Sequence, residues 1–129
     1  MTRETLEKPR AERQILADIS GQSGIEVMAW RKKRGISRET FSKLANCSVR
    51  KLATYEKLDQ LPRLVQRETN AVIRLLGALE EIISDTRLTE WLNTPNPGFE
   101  NATPLDIIED GKTDLIWEMI YQTREGAFG

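Results

Sequence analysis

Residues 35–56 read GISRETFSKLANCSVRKLATYE and predict two short helices joined by a tight turn. Ser37 is a favourable N-cap, because its hydroxyl can accept a hydrogen bond from a free amide of the first turn. Phe41 and Leu44 then fall on one face of a helix. Asn46 tolerates the left-handed backbone conformation, and Ser48 is a second N-cap. The stretch therefore contains two capped helix starts.

The second of these helices begins after Ser48 and is expected to end near Glu56. Leu52 and Tyr55 fall on the side that would face the core. Two short helices joined by about three or four residues form a helix-turn-helix, whose second helix enters the major groove of DNA while the first crosses the backbone. The sequence therefore predicts a DNA-binding unit.

The side chains on the outer face of the second helix are candidates for DNA contacts: Val49, Arg50, Lys51 and Thr54. An arginine can read guanine through two hydrogen bonds, a threonine can hydrogen-bond a base or touch a thymine methyl group, and a valine can only pack. Arg50 is therefore the first candidate for a base contact.

Two further residues are predicted to lie against phosphates. Arg38 follows the cap of the first helix, and Ser48 offers a hydroxyl and a backbone amide at the start of the second. Phosphates favour helix N-termini and cationic side chains, and such contacts position a protein without reading sequence. The alternative for these cations is ordinary solvated charge, which is the better account of the run from Arg31 to Arg34.

Helices are also predicted on both sides of this unit. Apolar spacing indicates a helix over 24–34, and Gly35 is suited to end it. A second, longer pattern indicates one helix over 63–85 that begins after a proline. Residues 1–22 are polar and charged, and they predict a flexible arm with one short helix near 10–19.

The C-terminal part begins with a loop. Three prolines in residues 94–104 exclude a helix or a central strand there. Thr103 is expected to cap a short helix with Pro104 in its first position, Gly111 to end that helix, and Thr113 to cap the last one. No segment alternates with period two, so the predicted fold class is all-α.

We therefore expect three parts along the chain. The flexible arm covers 1–22, the helix-turn-helix domain with its long connecting helix covers 23–85, and a small helical C-terminal domain covers 86–129. A protein of this kind usually binds paired half-sites as a two-fold dimer, so a homodimer on double-stranded operator DNA is expected.

The composition excludes most enzyme classes. The 129 residues contain no histidine and a single cysteine, Cys47, so the chain lacks the commonest general base and any Cys-His or Ser-His-Asp arrangement. It also lacks the commonest transition-metal ligand. We expect no enzyme activity, no cofactor and no metal. Cys47 is expected to pack inward as a small apolar side chain.

Charge is distributed unevenly along the chain. Residues 1–77 contain 16 Lys and Arg against 9 Asp and Glu, a net charge of +7, whereas residues 78–129 contain 3 against 11, a net charge of −8. This asymmetry suggests that the front part meets a polyanion and the back part a different partner, although two solvated faces would give the same count. Apolar stretches fall far short of the roughly 20 residues that span a bilayer, and no signal peptide follows Met1, so a cytoplasmic protein is expected.

Residues 35–56 resemble the Xre/Cro family of repressors. The shared features are the opening Gly35-Ile36-Ser37-Arg38-Glu39, the Ser48 cap, and the aromatic-Glu ending Tyr55-Glu56. This sequence departs from the family pattern at Asn46, where glycine is usual, and at Ser42, where alanine is usual.

The back part is similar to the C-terminal domain of the Xre/MbcA/ParS antitoxins. The family's order of motifs is present as Trp91-Leu92, Pro95-Asn96-Pro97, Thr103-Pro104-Leu105-Asp106, Gly111 and a closing helix with a Gly-terminated tail. Asn101 stands where a glycine commonly precedes the Thr-Pro step.

The resemblance implies an antitoxin of a type II toxin-antitoxin pair that represses its own operon. In this family the C-terminal domain binds a toxin, typically of the RES-domain class acting on NAD, and the antitoxin's terminal residues cover the toxin's active site. Trp91, Asn96, Pro97, Thr103 and Pro104 would then shape the toxin-binding domain, and the tail Ala127, Phe128 and Gly129 would contact the toxin. The alternative is a free-standing helix-turn-helix transcriptional regulator without a toxin partner.

Overall fold

The computed structural model describes residues 23–83 and 85–126, and within these ranges the chain forms helices and no strand. The predicted all-α class is confirmed. The expected arm over 1–22, with its short helix near 10–19, and the tail over 127–129 lie outside the described residues. The elements are α1 Gly24–Lys33, α2 Arg38–Leu44, α3 Val49–Tyr55, α4 Arg63–Glu80, α5 Asp85–Leu92, a 3₁₀ turn Pro97–Phe99, α6 Pro104–Glu109 and α7 Thr113–Arg124.

Helix α1 begins with a capping box, and its first residue lies close to the backbone at the end of α3. The Glu26 amide donates to the Ser23 hydroxyl at 3.0 Å, and the Ser23 amide donates to the Glu26 carboxylate at 3.3 Å. The Gly24 amide donates to the Leu58 carbonyl at 2.9 Å. A Cβ at Gly24 would lie 1.7 Å from the carbonyl oxygen of Tyr55, so glycine lets α1 begin against the end of α3.

The two caps predicted for the helix-turn-helix are confirmed. The Thr40 amide donates to the Ser37 hydroxyl at 3.1 Å, and the Lys51 amide donates to the Ser48 hydroxyl at 3.0 Å. Between the helices Asn46 has a φ of 57°, as predicted for a left-handed residue. Helices α2 and α3 pack against each other.

The long helix ends earlier than predicted. The expected helix over 63–85 is wrong in its last turn, because α4 ends at Glu80 and a separate helix, α5, begins at Asp85. The Ile82 and Ile83 amides both donate to the Leu79 carbonyl, at 3.0 and 2.8 Å. Both isoleucines still pack against the core. The apolar spacing of a helix therefore continues through the turn, and the sequence pattern did not indicate where α4 ends.

The C-terminal segment follows the predicted order with one correction. Residues 94–103 form a loop that contains only the short 3₁₀ turn, and Thr103 caps α6 by accepting from the Asp106 amide at 3.0 Å. Gly111, with a φ of 79°, ends α6. The prediction that Thr113 caps the last helix is wrong, because Lys112 holds the N-cap position and no side chain caps it. The Lys112 amide instead donates to the Ile107 carbonyl, which joins α6 and α7 tightly.

One set of buried side chains runs through both parts of the chain. Helix α2 packs against α6, α6 packs against α7, and α4 contacts both α5 and α7. The deepest members are Ile36, Phe41, Leu52, Ile73, Leu76, Leu79, Leu92, Ile116 and Ile120. The predicted domain boundary at residue 85 falls at the start of α5, and the division into two functional domains stays a prediction. None of the helices in the described ranges is long and apolar enough to cross a membrane.

Candidate functional site

Helix α3 presents the predicted face to solvent. Val49, Arg50, Lys51 and Thr54 are exposed, as is the capping Ser48. Leu52 is 2% exposed and Tyr55 is half-buried, so the opposite side of the helix packs against the core as expected. The Thr54 hydroxyl donates to the Arg50 carbonyl at 3.2 Å. One short capped helix thus holds five exposed candidate side chains together.

Beneath this helix lies a buried ion-pair network centred on Glu56. The Arg31 Nε donates to Glu56 Oε2 at 2.7 Å and its Nη2 to Oε1 at 3.1 Å, while the Arg38 Nε donates to Oε1 at 2.7 Å. Arg31 Nη1 also donates to the Ile36 carbonyl at 2.9 Å. Glu56 is 2% exposed and Arg31 is 5% exposed. The network therefore fixes the end of α3 to α1 and to the start of α2.

The two arginines control the protonation of Glu56. Burial acts to raise the pKa of Glu56, but hydrogen bonds from Arg31 and Arg38, together with their charges, outweigh burial and hold the pKa below its ordinary value of 4.5. The carboxylate is therefore charged at neutral pH, as the paired arginines require.

Arg38 takes part in this network and still reaches solvent. Its side chain is 41% exposed, so the guanidinium has one edge on Glu56 and another edge at the surface beside the start of α2. A guanidinium carries donors on more than one nitrogen and can bridge two acceptors. The position suits the predicted phosphate contact, which stays a prediction.

The expectation that Arg31 to Arg34 form a plain exposed face is wrong for Arg31 and Arg34. Arg31 is buried against Glu56, and Arg34 lies over the Trp30 ring at 4.1 Å and pairs with Glu80 at 3.0 Å. The signal for Arg31 was available, since it lies four residues after Val27 and hence on the apolar face of α1. A charge on that face requires a buried partner, and Glu56 supplies it.

Cys47 packs against the core as predicted. Burial and the carboxylate of Glu68 raise the pKa of the Cys47 thiol, and the Lys51 ammonium lowers it by less. A raised pKa leaves the thiol protonated at neutral pH, so it behaves as a small apolar side chain. Among residues 23–83 and 85–126, no group of three or more His, Cys, Asp or Glu side chains could hold a metal ion.

Four of the residues predicted to shape the C-terminal domain lie in the loop before α6 or at the start of that helix. The Asn96 side chain accepts from the Gly98 amide at 2.8 Å, and its carbonyl accepts from the Phe99 and Asn101 amides, both at 2.9 Å. Pro97 opens the 3₁₀ turn, and Pro104 is buried at the start of α6 behind the Thr103 cap. These contacts order the loop internally.

Asn101 and Trp91 are two further residues of this region that the sequence motifs included. Asn101 has a φ of 68°, a left-handed conformation that glycine adopts most readily. Trp91 is half-buried and lines a surface groove of about 620 Å³ with Ile82 and Ile83. The structure thus places Trp91 next to the turn that follows α4.

The chain is similar to known antitoxins. Residues 78–126 match the family model of the antitoxin Xre/MbcA/ParS C-terminal toxin-binding domain. The mycobacterial cidal antitoxin MbcA of Mycobacterium bovis, and that of two strains of Mycobacterium tuberculosis, are each 24% identical over 98 residues, which cover 75% of this chain and 87% of the relative. No solved structure matches the chain significantly. The matched segment extends from the end of α4 through α7.

Proposed function

We propose that this chain is an antitoxin of the Xre/MbcA/ParS family, which neutralises a partner toxin with its C-terminal domain and represses its own operon with α3. The observation that carries the proposal is the match of 78–126 to a toxin-binding domain in the same chain as a capped, exposed α3. The role of antitoxin in a toxin-antitoxin system follows from the family itself. The toxin class and the DNA binding are our extension.

The toxin is proposed to be of the RES-domain class that acts on NAD. Residues 78–129 carry a net charge of −8, and a cleft that holds the phosphates of a dinucleotide must be basic. An acidic domain is therefore suited to cover such a cleft. Trp91, Asn96, Pro97, Thr103 and Pro104 would shape this domain, and Ala127, Phe128 and Gly129 would enter the cleft.

Operator binding is proposed to use the exposed face of α3. Val49, Arg50 and Thr54 would face base edges, while Ser48, Lys51 and Arg38 would lie against phosphates. The support is local geometry: the cap at Ser48 orients the first turn of α3, and the Glu56 network holds its end.

The protein is proposed to act as a homodimer on paired half-sites. The long helix α4 offers apolar surface for this purpose, because Leu64 is 63% exposed beside a cleft of about 460 Å³ between α3 and α4. An isologous contact would seat this leucine in the cleft of the second copy. Sedimentation of the purified chain should give a dimer, and Leu64→Asp should shift it to a monomer. A wild-type monomer at operator-binding concentrations would contradict the dimer.

Co-purification with the product of the neighbouring gene tests the toxin partner. We expect the tagged chain, co-expressed with the adjacent reading frame, to retain that protein in a stable complex through gel filtration. Arg50→Ala is the matched control, because it changes the DNA face and should leave the complex intact. If the neighbouring product does not bind, or is not toxic when expressed alone, the free-standing regulator becomes the better account.

A further inference from the structure

Helix α7 has an exposed face with a regular arrangement of side chains. Ile116 and Ile120 are fully buried and hold the helix on the core. On the opposite side, helical spacing places a row of carboxylates between an aromatic edge and an aliphatic edge. The row consists of Asp114, Glu118 and Glu125, the aromatic edge of Trp117 and Tyr121, and the aliphatic edge of Leu115 and Met119.

The aromatic edge is a preformed surface. Trp117 and Tyr121 stack with ring centroids 5.9 Å apart and planes inclined by 28°. Tyr121 is nevertheless 53% exposed. A shallow groove of about 430 Å³ runs along this stack and is lined by Asp114, Glu118 and Glu125. A stacked pair of this kind offers a rigid apolar contact that loses little side-chain entropy on binding.

The aliphatic edge borders a second groove. Leu115 is 42% exposed, and with Met119 it faces the 3₁₀ turn across a groove of about 660 Å³. Phe99 lines the far side. Exposed Leu and Tyr on one helix, with grooves on both sides, make a larger apolar surface than single scattered side chains.

The carboxylates in the middle of this face are not compensated within the described part of the chain. Asp114 and Glu118 lie four residues apart, where like charges destabilise a helix by a few tenths of a kcal/mol. None of the three carboxylates forms an ion pair with another described residue. Arg124, in the last turn of α7, pairs with Glu81 at 2.6 Å instead. The face therefore combines exposed apolar area with unpaired negative charge, which a basic partner would offset.

We infer that the exposed face of α7 docks on a surface of the toxin that combines basic and apolar side chains. This surface would lie next to the site that the antitoxin tail is proposed to enter. The inference rests on the proposed function and names the surface that performs it. DNA would be repelled by this face, and a second copy would bring carboxylates against carboxylates. The helix also lies inside the segment that matches a toxin-binding domain.

The test is the affinity of the co-expressed neighbouring-gene product for variants of the full chain. Glu118→Arg should weaken binding by at least about tenfold and reduce its salt dependence, because it reverses a charge opposite basic groups. Tyr121→Ala should also weaken binding by about tenfold or more, since aromatic residues dominate interface energies. Asp59→Arg and Ile25→Ala are matched controls, because both are exposed and lie in the helix-turn-helix part.

The outcomes separate this inference from the proposed function. If both α7 variants keep the wild-type melting temperature and lose affinity while both controls bind normally, the inference is supported. If wild type binds and the folded α7 variants bind equally well, the toxin uses another surface and only the inference fails. If wild type itself does not bind the neighbouring product, the proposed function fails first.

Discussion

Glu56 is the residue that links the proposed DNA-binding face to the rest of the fold. Its carboxylate receives Arg31 from α1 and Arg38 from the start of α2, and it lies immediately after α3. A carboxylate that is 2% exposed is stable only with such partners, because burying an unpaired charge costs several kcal/mol. One side chain therefore links the three helices.

Glu56→Gln should destabilise the protein by about 3 kcal/mol at neutral pH, since it leaves the buried Arg31 without its counter-charge. The folded pKa of Glu56 lies below 4.5, so its contribution is present above pH 4.5 and is lost as the pH falls through the folded value. Urea unfolding at several pH values measures both effects. The variant should lose less stability than wild type below pH 4.5. Glu39→Gln, at an exposed site, is the control, and equal acid slopes for wild type and Glu56→Gln would contradict the account.

Arg50 and Arg38 should differ in how they affect DNA binding. Arg50→Ala is expected to cost about 1 to 3 kcal/mol and to relax the preference at one base pair. Arg38→Ala should weaken binding to all sequences and flatten the salt dependence, because it would remove the proposed phosphate contact. Fluorescence anisotropy on operator and random DNA distinguishes them. If Arg50→Ala loses the same affinity on operator and random DNA, Arg50 contacts a phosphate and not a base.

Among the elements, those with a cap or a turn residue were predictable from sequence. Ser37, Ser48 and Thr103 start helices, and Asn46 and Gly111 end or join them, because each effect is local. The end of α4 was not predictable, since Ile82 and Ile83 keep the helical spacing while packing as a turn. The position of Arg31 on the apolar face of α1 indicated that it is buried, but no local pattern identified its partner Glu56, 25 residues away.

The junction of α1 and α3 depends on Gly24. Gly24→Ala should destabilise the protein by about 3 kcal/mol or more, because the new methyl group would overlap the Tyr55 carbonyl and force backbone movement. Gly111→Ala is the comparison, since it meets no atom within 4 Å and costs only the left-handed backbone strain of about 1 to 2 kcal/mol. Thermal unfolding measures both. A Gly24→Ala protein as stable as Gly111→Ala would mean that α1 can shift away freely.

At the scale of the whole molecule, two oppositely charged parts share one core. Helix α2 of the predicted helix-turn-helix packs against α6 of the segment that matches the toxin-binding domain. The charge split and the motif order led to the prediction of two different partners from sequence. The exposed α7 face was not indicated, because its apolar residues gave the same helical spacing as a buried stripe.

This packing changes how the tail should be tested. A deletion from residue 120 onward would remove Ile120, which is fully buried, and would unfold α7 along with the tail. The informative truncation removes residues 127–129 only. It ends after Gly126 and leaves every described side chain of the core in place.

Growth of cells that express the neighbouring gene's product tests the central claim most directly. The wild-type chain and Arg50→Ala should both restore growth, whereas the chain lacking residues 127–129 should restore it poorly while still binding operator DNA. Full rescue by the shortened chain would contradict the assignment of the tail. Failure of the wild-type chain to rescue would contradict the antitoxin account itself.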